Sequence, residues 1–145
     1  MRQWPNDCFF AWVESEINAG RSVRFRMKGG SMLPFLREGR DEVVVFPCRE
    51  DELQPMEAVL FRYRGRHILH RIIRRQAGRL WLQGDGVCAV HEECAPSDVV
   101  GIVRYVYVAG RREEVSSWRW RWKVRLWRCL GSGRSLVLRC MRRCG

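Results

Sequence analysis

"AVLFRYRGRHILHRIIRR", residues 58–75, is the stretch on which the fold turns. It reads as two long strands meeting in a hairpin at Gly65. In the second run Ile68, His70 and Ile72 share one strand face, and His67 lies on the other, beside Arg66. Outward from the hairpin the same period recurs. In "RSVRFRMK" (21–28) Val23, Phe25 and Met27 alternate with polar residues, as a half-buried strand requires. "EVVVFP" (42–47) reads as a more buried strand. "GRLWLQGDG" (78–86) and "VVGIVRYVYVAGRREEV" (99–115) add others, the last broken by a turn at Gly110. Ahead of them Asn6 or Asp7 caps a short helix whose Phe9, Phe10, Val13 and Ile17 share a face, with Gly20 as the stop. No internal repeat is present. The pattern predicts a mainly β body of six to eight short strands, a small folded sheet or partly open barrel, with a short N-terminal helix.

The chain has 145 residues, 46% of them hydrophobic, enough for one domain with a core and too few for two comfortable ones. Its formal charge of +11 is unevenly spread. Residues 116–145 hold nine Arg or Lys and no Asp or Glu, whereas residues 1–115 hold 18 basic and 16 acidic residues. The chain therefore divides into a near-neutral body (1–115) and a basic, Trp/Arg-rich tail (116–145). In the tail, "WRWRWKVRLWRCL" (118–130) alternates at Trp118, Trp120, Trp122, Val124 and Leu126, which is the strand period; on a helix these residues scatter around the circumference. Trp with Arg favours a membrane–water boundary, where indole sits among headgroups and Arg meets phosphate. Nucleic acid, met through phosphate contacts and stacking, and simple packing on the body are the alternatives.

Seven cysteines are scattered through the chain. Cys88/Cys94 and Cys140/Cys144 lack C-x-x-C spacing, and His91 between the first two leaves a metal site conceivable, with reduced cytosolic thiols as the plainer reading. No signal peptide is expected, because Asp7, Glu14 and Glu16 interrupt the apolar residues at the start. No run approaches the ~18 apolar residues that cross a bilayer. The location expected is peripheral to a membrane or cytoplasmic.

The chemistry concentrates in "KGGSMLPFLREG" (28–39), where two glycines and Pro34 hold Ser31 at a turn. A serine hydroxyl needs a base to become a nucleophile, and backbone N–H groups to meet the oxyanion. The chain has only Lys28 and Lys123 as lysine candidates. Its histidines are His67, His70 and His91.

In order and spacing, "GGSMLPFLREG", "AVLFRYRGRHILHRII", "LWLQGDG" and "DVVGIV" resemble the boxes of signal peptidases and LexA-like self-cleaving peptidases, the S24/S26 serine peptidases. The likeness spans about residues 22–108. It implies that Ser31 is the nucleophile and that His70, in the pair His70-Arg71, is the base, as in the histidine-type signal peptidases of the endoplasmic reticulum and archaea. Asp85 in "QGDG" matches the group's Gly-Asp box and is the first candidate to orient His70. Asp98 is the second, and a Ser31/His70 dyad is the remaining alternative. The histidine-type enzymes also carry an aspartate further along, where this chain has His91, Glu92 and Glu93. Gly39 is followed by Arg40, with Asp41 one place late, and Met56-Glu57 stands where the group has Gly-Asp. Gly29 leaves only backbone donors for the oxyanion.

The resemblance implies a serine endopeptidase that binds a peptide or leader segment in extended form, without a cofactor or metal. The tail would serve as a peripheral membrane tether. Two alternatives are a self-cleaving regulator, with Ala19-Gly20 as the bond cut, and a non-catalytic module that binds nucleic acid or membrane through its tail.

Overall fold

The structure, a computed structural model, describes residues 6–144. A helix α1 (Asn6–Asn18) is followed by strands β1 (Val23–Arg26), β2 (Glu42–Phe46), β3 (Ala58–Tyr63), β4 (Arg66–Gln76), β5 (Arg79–Gln83), β6 (Glu92–Cys94), β7 (Val99–Val108) and β8 (Arg111–Glu114). Two helices, α2 (Trp118–Cys129) and α3 (Arg134–Cys144), complete the chain. The strands form one antiparallel sheet in the order β1-β2-β7-β3-β4-β5-β6, curled into a half-barrel. β7 carries β2 along one edge; along the other it pairs first with β3, through Val99–Ile102, and then with β8, through Tyr105–Val108. The mainly β expectation and the short N-terminal helix both hold.

Local chemistry explains most of the elements. Three hairpins turn on the pairs Arg64-Gly65, Ala77-Gly78 and Ala109-Gly110, each with both residues at positive φ, between 50° and 82°. That is the type I′ geometry whose twist suits a two-residue hairpin, and a glycine in the second place relieves half its strain. α1 ends in a Schellman motif: Arg21 N–H bonds Glu16 O at 3.0 Å and Gly20 N–H bonds Ile17 O at 2.9 Å.

The sheet is apolar on both faces. On one, Val13 and Ile17 of α1, Val23, Met32, Leu36, Val43, Val45, Leu60, Leu69, Trp120 and Val124 form a buried cluster. On the other, Leu53, Val59, Phe61, Ile72, Leu80, Leu82, Cys94 and Ile102 form a second. β3 lies between them, Ala58 and Leu60 facing the first and Val59 and Phe61 the second. This two-sided burial is why "AVLF" is uninterrupted by polar residues.

The strand period of the tail is corrected by the structure: residues 118–129 are helical. The helix is capped by Ser117, whose Oγ accepts from Trp120 N–H at 3.3 Å. At about 100° per residue, a period of two sends successive apolar residues to opposite sides of a helix and every second one back to the same side. Trp120, Val124 and Trp127 make one stripe, buried on the body; Trp118, Trp122 and Leu126 make the opposite stripe, exposed. The expected scatter is therefore two ordered stripes.

Asp41, at the end of the Ser31 segment, is fully buried. Its carboxylate accepts from Arg37 N–H at 2.8 Å, Ala109 N–H at 2.9 Å and the Arg40 guanidinium at 2.7 Å, tying the end of the Ser31 segment to the β7–β8 turn. Burial alone would raise its pKa, but the bonds from Arg40, Ala109 and Arg37 outweigh that and hold it below the usual carboxylate range. A depressed pKa contributes stability above the unfolded value, about 3.9, that is lost as pH falls through the folded value. Asp41→Asn is expected to cost about 1–3 kcal/mol at pH 7. The difference from wild type should begin to shrink below about pH 4, where the unfolded carboxylate takes up a proton, and keep shrinking as pH falls toward the lower folded value. Urea unfolding of both proteins at pH 7 and pH 3 checks this, and a gap independent of pH would overturn it.

Candidate active site

Ser31 stands on a turn anchored from below. Met32, the next residue, is wholly buried, and Leu36 is nearly so, both in the cluster shared with α1 and α2. The turn is closed by Leu33 N–H to Gly30 O at 3.2 Å and by Phe35 and Leu36 N–H to Met32 O, each at 3.1 Å. The Leu33–Pro34 peptide bond is cis. With Met32 pinned inward, the side chain before it is turned toward the surface. Ser31 N–H makes no hydrogen bond among the described residues and is free to meet an oxyanion.

Residues 84–86 lie directly against this turn. Gly86 N–H bonds Ser31 O at 2.8 Å. A Cβ on Gly84 would stand 2.3 Å from Ser31 O and 3.0 Å from His70 Nε2, and one on Gly86 would stand 2.5 Å from Gly30 O. The two glycines of "QGDG" are thus places where one backbone segment passes too close to the serine turn for any side chain. Gly84 also shows that the Ser31 backbone carbonyl and the Nε2 edge of His70 adjoin the same point. Both residues line one cleft of about 410 Å³, walled by Phe9, Phe10, Phe25, Met27, Leu60 and Leu69.

His70 is buried, paired across the sheet with Val59. Its Nδ1 is hydrogen-bonded to Oε1 of Glu92, which is also buried, on β6. A carboxylate only accepts, so Nδ1 carries the proton and Nε2 is left with a lone pair on the side of Ser31. Among the described residues Nε2 has no hydrogen-bond partner. This is the tautomer that a base acting on a serine hydroxyl needs.

The residue expected to orient His70 is elsewhere. Asp85 is fully buried and bonded to Arg71, at 2.7 and 2.9 Å, and to Arg128 at 2.8 Å. The reason is strand alternation: His70 and Arg71 are consecutive on β4 and point to opposite faces, so a carboxylate that meets Arg71 cannot also meet His70. Asp98 is also outside the site; it accepts from Ala95 N–H at 3.0 Å and closes a 3-10 turn. Glu92 was within the sequence signal, since the histidine-type peptidases place a carboxylate in that region. The carboxylate there is a glutamate where those enzymes have an aspartate, so the match by residue type fails while the chemistry is the same. Alternation again decides between the two glutamates: Glu92 turns in, and Glu93 turns out to Arg79 at 3.1 Å.

The other candidates have structural tasks. His67 stacks on Phe10, with ring centroids 4.6 Å apart, and bonds Glu14 at 2.8 Å, pinning α1 to the β3–β4 hairpin. Among the described residues no group of His, Cys, Asp and Glu is arranged to hold a metal ion. Cys8, Cys48, Cys88, Cys94, Cys129 and Cys140 are free thiols. Burial, aided by Asp98 and Glu92, raises the Cys94 pKa to about 11, so that thiol is unreactive at neutral pH. Ala19 and Gly20 are folded into the α1 C-terminal cap, whereas a peptidase cleft takes its substrate extended.

The helix read as a tether braces the site. Trp127 Nε1 donates to Asp85 O at 2.7 Å, and Arg128 bonds Gln83 Oε1 at 2.6 Å and Gln83 O at 3.0 Å. Both hold the segment that in turn holds Ser31. No protein-family model, curated protein or solved structure matches this chain.

Proposed function

We propose that the protein is a serine endopeptidase acting on peptides bound in extended form, with Ser31 as nucleophile, His70 as general base and Glu92 as the residue that positions His70. The observation that carries the reading is the pairing of roles on one imidazole. Nδ1 is held by a buried carboxylate, while unpaired Nε2 adjoins the serine turn at Gly84.

In this reading the Ser31 hydroxyl gives its proton to His70 Nε2 as Oγ attacks the scissile carbonyl. Glu92 stabilises the imidazolium that forms, and Ser31 N–H donates to the oxyanion. His70 then passes the proton to the leaving amine, and water releases the acyl group by the reverse sequence. β1 is an edge strand of the sheet, and Phe25–Lys28 line the cleft, so a substrate strand can add along that edge by backbone hydrogen bonds. The aromatic and aliphatic walls favour apolar side chains near the bond cut. The resemblance to signal peptidases and LexA-like peptidases supports the same assignment of Ser31 and His70.

The test is incubation of the full chain with a complex peptide library, read by mass spectrometry. Cleavage beside apolar residues is expected from the wild type and is expected to vanish in Ser31→Ala and His70→Ala. Equal cleavage by the Ser31→Ala protein, or none by the wild type, would sink the reading.

A further inference from the structure

The outer stripe of α2 has no task in the body of the protein. Of the nine large apolar side chains left exposed among the described residues, six lie between Trp118 and Val137. Trp118, Trp122 and Leu126 are 69%, 55% and 60% exposed and fall at i, i+4 and i+8, one face of the helix. Leu130, Leu136 and Val137, in the segment that follows, are exposed as well. The helical positions of Arg121 and Arg125 fall on one flank of the stripe and those of Arg119 and Lys123 on the other. From residue 116 to residue 145 there is no acidic side chain.

We propose that this face of α2 is a docking surface for an anionic lipid bilayer, with the helix lying in the plane of the headgroups. The chemistry selects that occupant. Indole at an apolar–polar boundary and Arg or Lys beside it match lipid headgroups over an acyl region, and the intervening Leu126 needs apolar depth. A nucleic acid strand would use the tryptophans and arginines, but it offers no apolar phase for Leu126, Leu130 and Leu136. A second copy would bring the same positive flanks, of which only Arg121 has a carboxylate beside it among the described residues, in Glu57, against themselves. Among the described residues no helix is long and apolar enough to cross a membrane, so the contact is interfacial. The surface does not depend on the peptidase reading, and Ser31→Ala protein is expected to bind as the wild type does.

Full-length protein is sedimented with vesicles of phosphatidylcholine alone or with about 30 mol% phosphatidylserine. Binding at least about tenfold tighter to the anionic vesicles is expected, with a further loss of at least about tenfold in the triple variant Trp118→Ser, Trp122→Ser, Leu126→Ser. These side chains are exposed, so the variant should keep the wild-type circular dichroism. Trp12→Ser, an exposed tryptophan of α1, is expected to bind normally. The proposal is overturned by unchanged binding in the triple variant, by equal binding to neutral vesicles, or by an equal loss from Trp12→Ser. A stripe-dependent dimer, or stripe-dependent preference for single-stranded RNA over vesicles, would overturn it in favour of that partner.

Discussion

Asp85→Asn is expected to destabilise the protein by about 3–5 kcal/mol, because it removes the carboxylate that bonds both Arg71 and Arg128 in a buried cluster of guanidinium groups. Arg71 and Arg128 both bond Asp85, and Arg134, itself buried, shares Gln83 Oε1 with Arg128. Arg128 Nε and Arg134 Nη1 already have no hydrogen-bond partner. Burial, with Arg134 and Arg71 nearby, lowers the Arg128 pKa against the pull of Asp85. An asparagine would keep the shape and lose the charge that Arg71 and Arg128 share, leaving buried guanidinium groups without their bonded counter-ion. The consequence should reach the site, since Asp85 lies between the two glycines that abut the Ser31 turn. Chemical unfolding of the variant measures the loss. If Asp85 instead oriented His70, stability would be nearly kept and peptide cleavage alone would fall.

Glu92→Gln is expected to behave in the opposite way, with the fold retained and the cleavage rate reduced about 10³- to 10⁴-fold. The carboxamide fits the same space, but its NH₂ can donate to Nδ1 and move the imidazole proton to Nε2, the position that must be empty to accept from Ser31. It also supplies no charge to the imidazolium in the transition state. The measurement has two parts. Steady-state hydrolysis of a peptide found in the library screen gives the rate. The ¹⁵N shifts of the His70 ring give the tautomer, independently of any substrate. A Glu92→Gln protein with wild-type kcat/KM and an Nδ1–H imidazole would reduce the machinery to a Ser31/His70 dyad.

The hairpin at 58–75, the strands on either side of it and the N-terminal helix are legible because each is encoded locally, by alternation, by the Gly20 stop and by a glycine at each of the three hairpin turns. Asn6 and Asp7, expected to cap the helix, lie within it. The Ser31 turn is legible for the same reason, from two glycines and a proline around one serine; the structure adds its anchors, buried Met32 and Leu36. β6 was not foreseen. It has three residues, two of them charged, and its strand character comes from pairing with β5 rather than from any period of its own.

The tail failed differently. A period of two is as compatible with a helix bearing two opposed apolar stripes as with a strand, and only a body able to bury Trp120, Val124 and Trp127 distinguishes them. The partner of His70 failed for a third reason. Asp85 and Glu92 are both acidic residues downstream of His70, and nothing local ranks them. By itself, then, the sequence determined a mainly β fold, the serine on its turn and a histidine on the long hairpin, because these depend on neighbours along the chain. Only the tertiary structure decided which carboxylate meets the histidine and which face of α2 is covered. Both depend on which side of the sheet a residue occupies once strands distant in sequence are side by side.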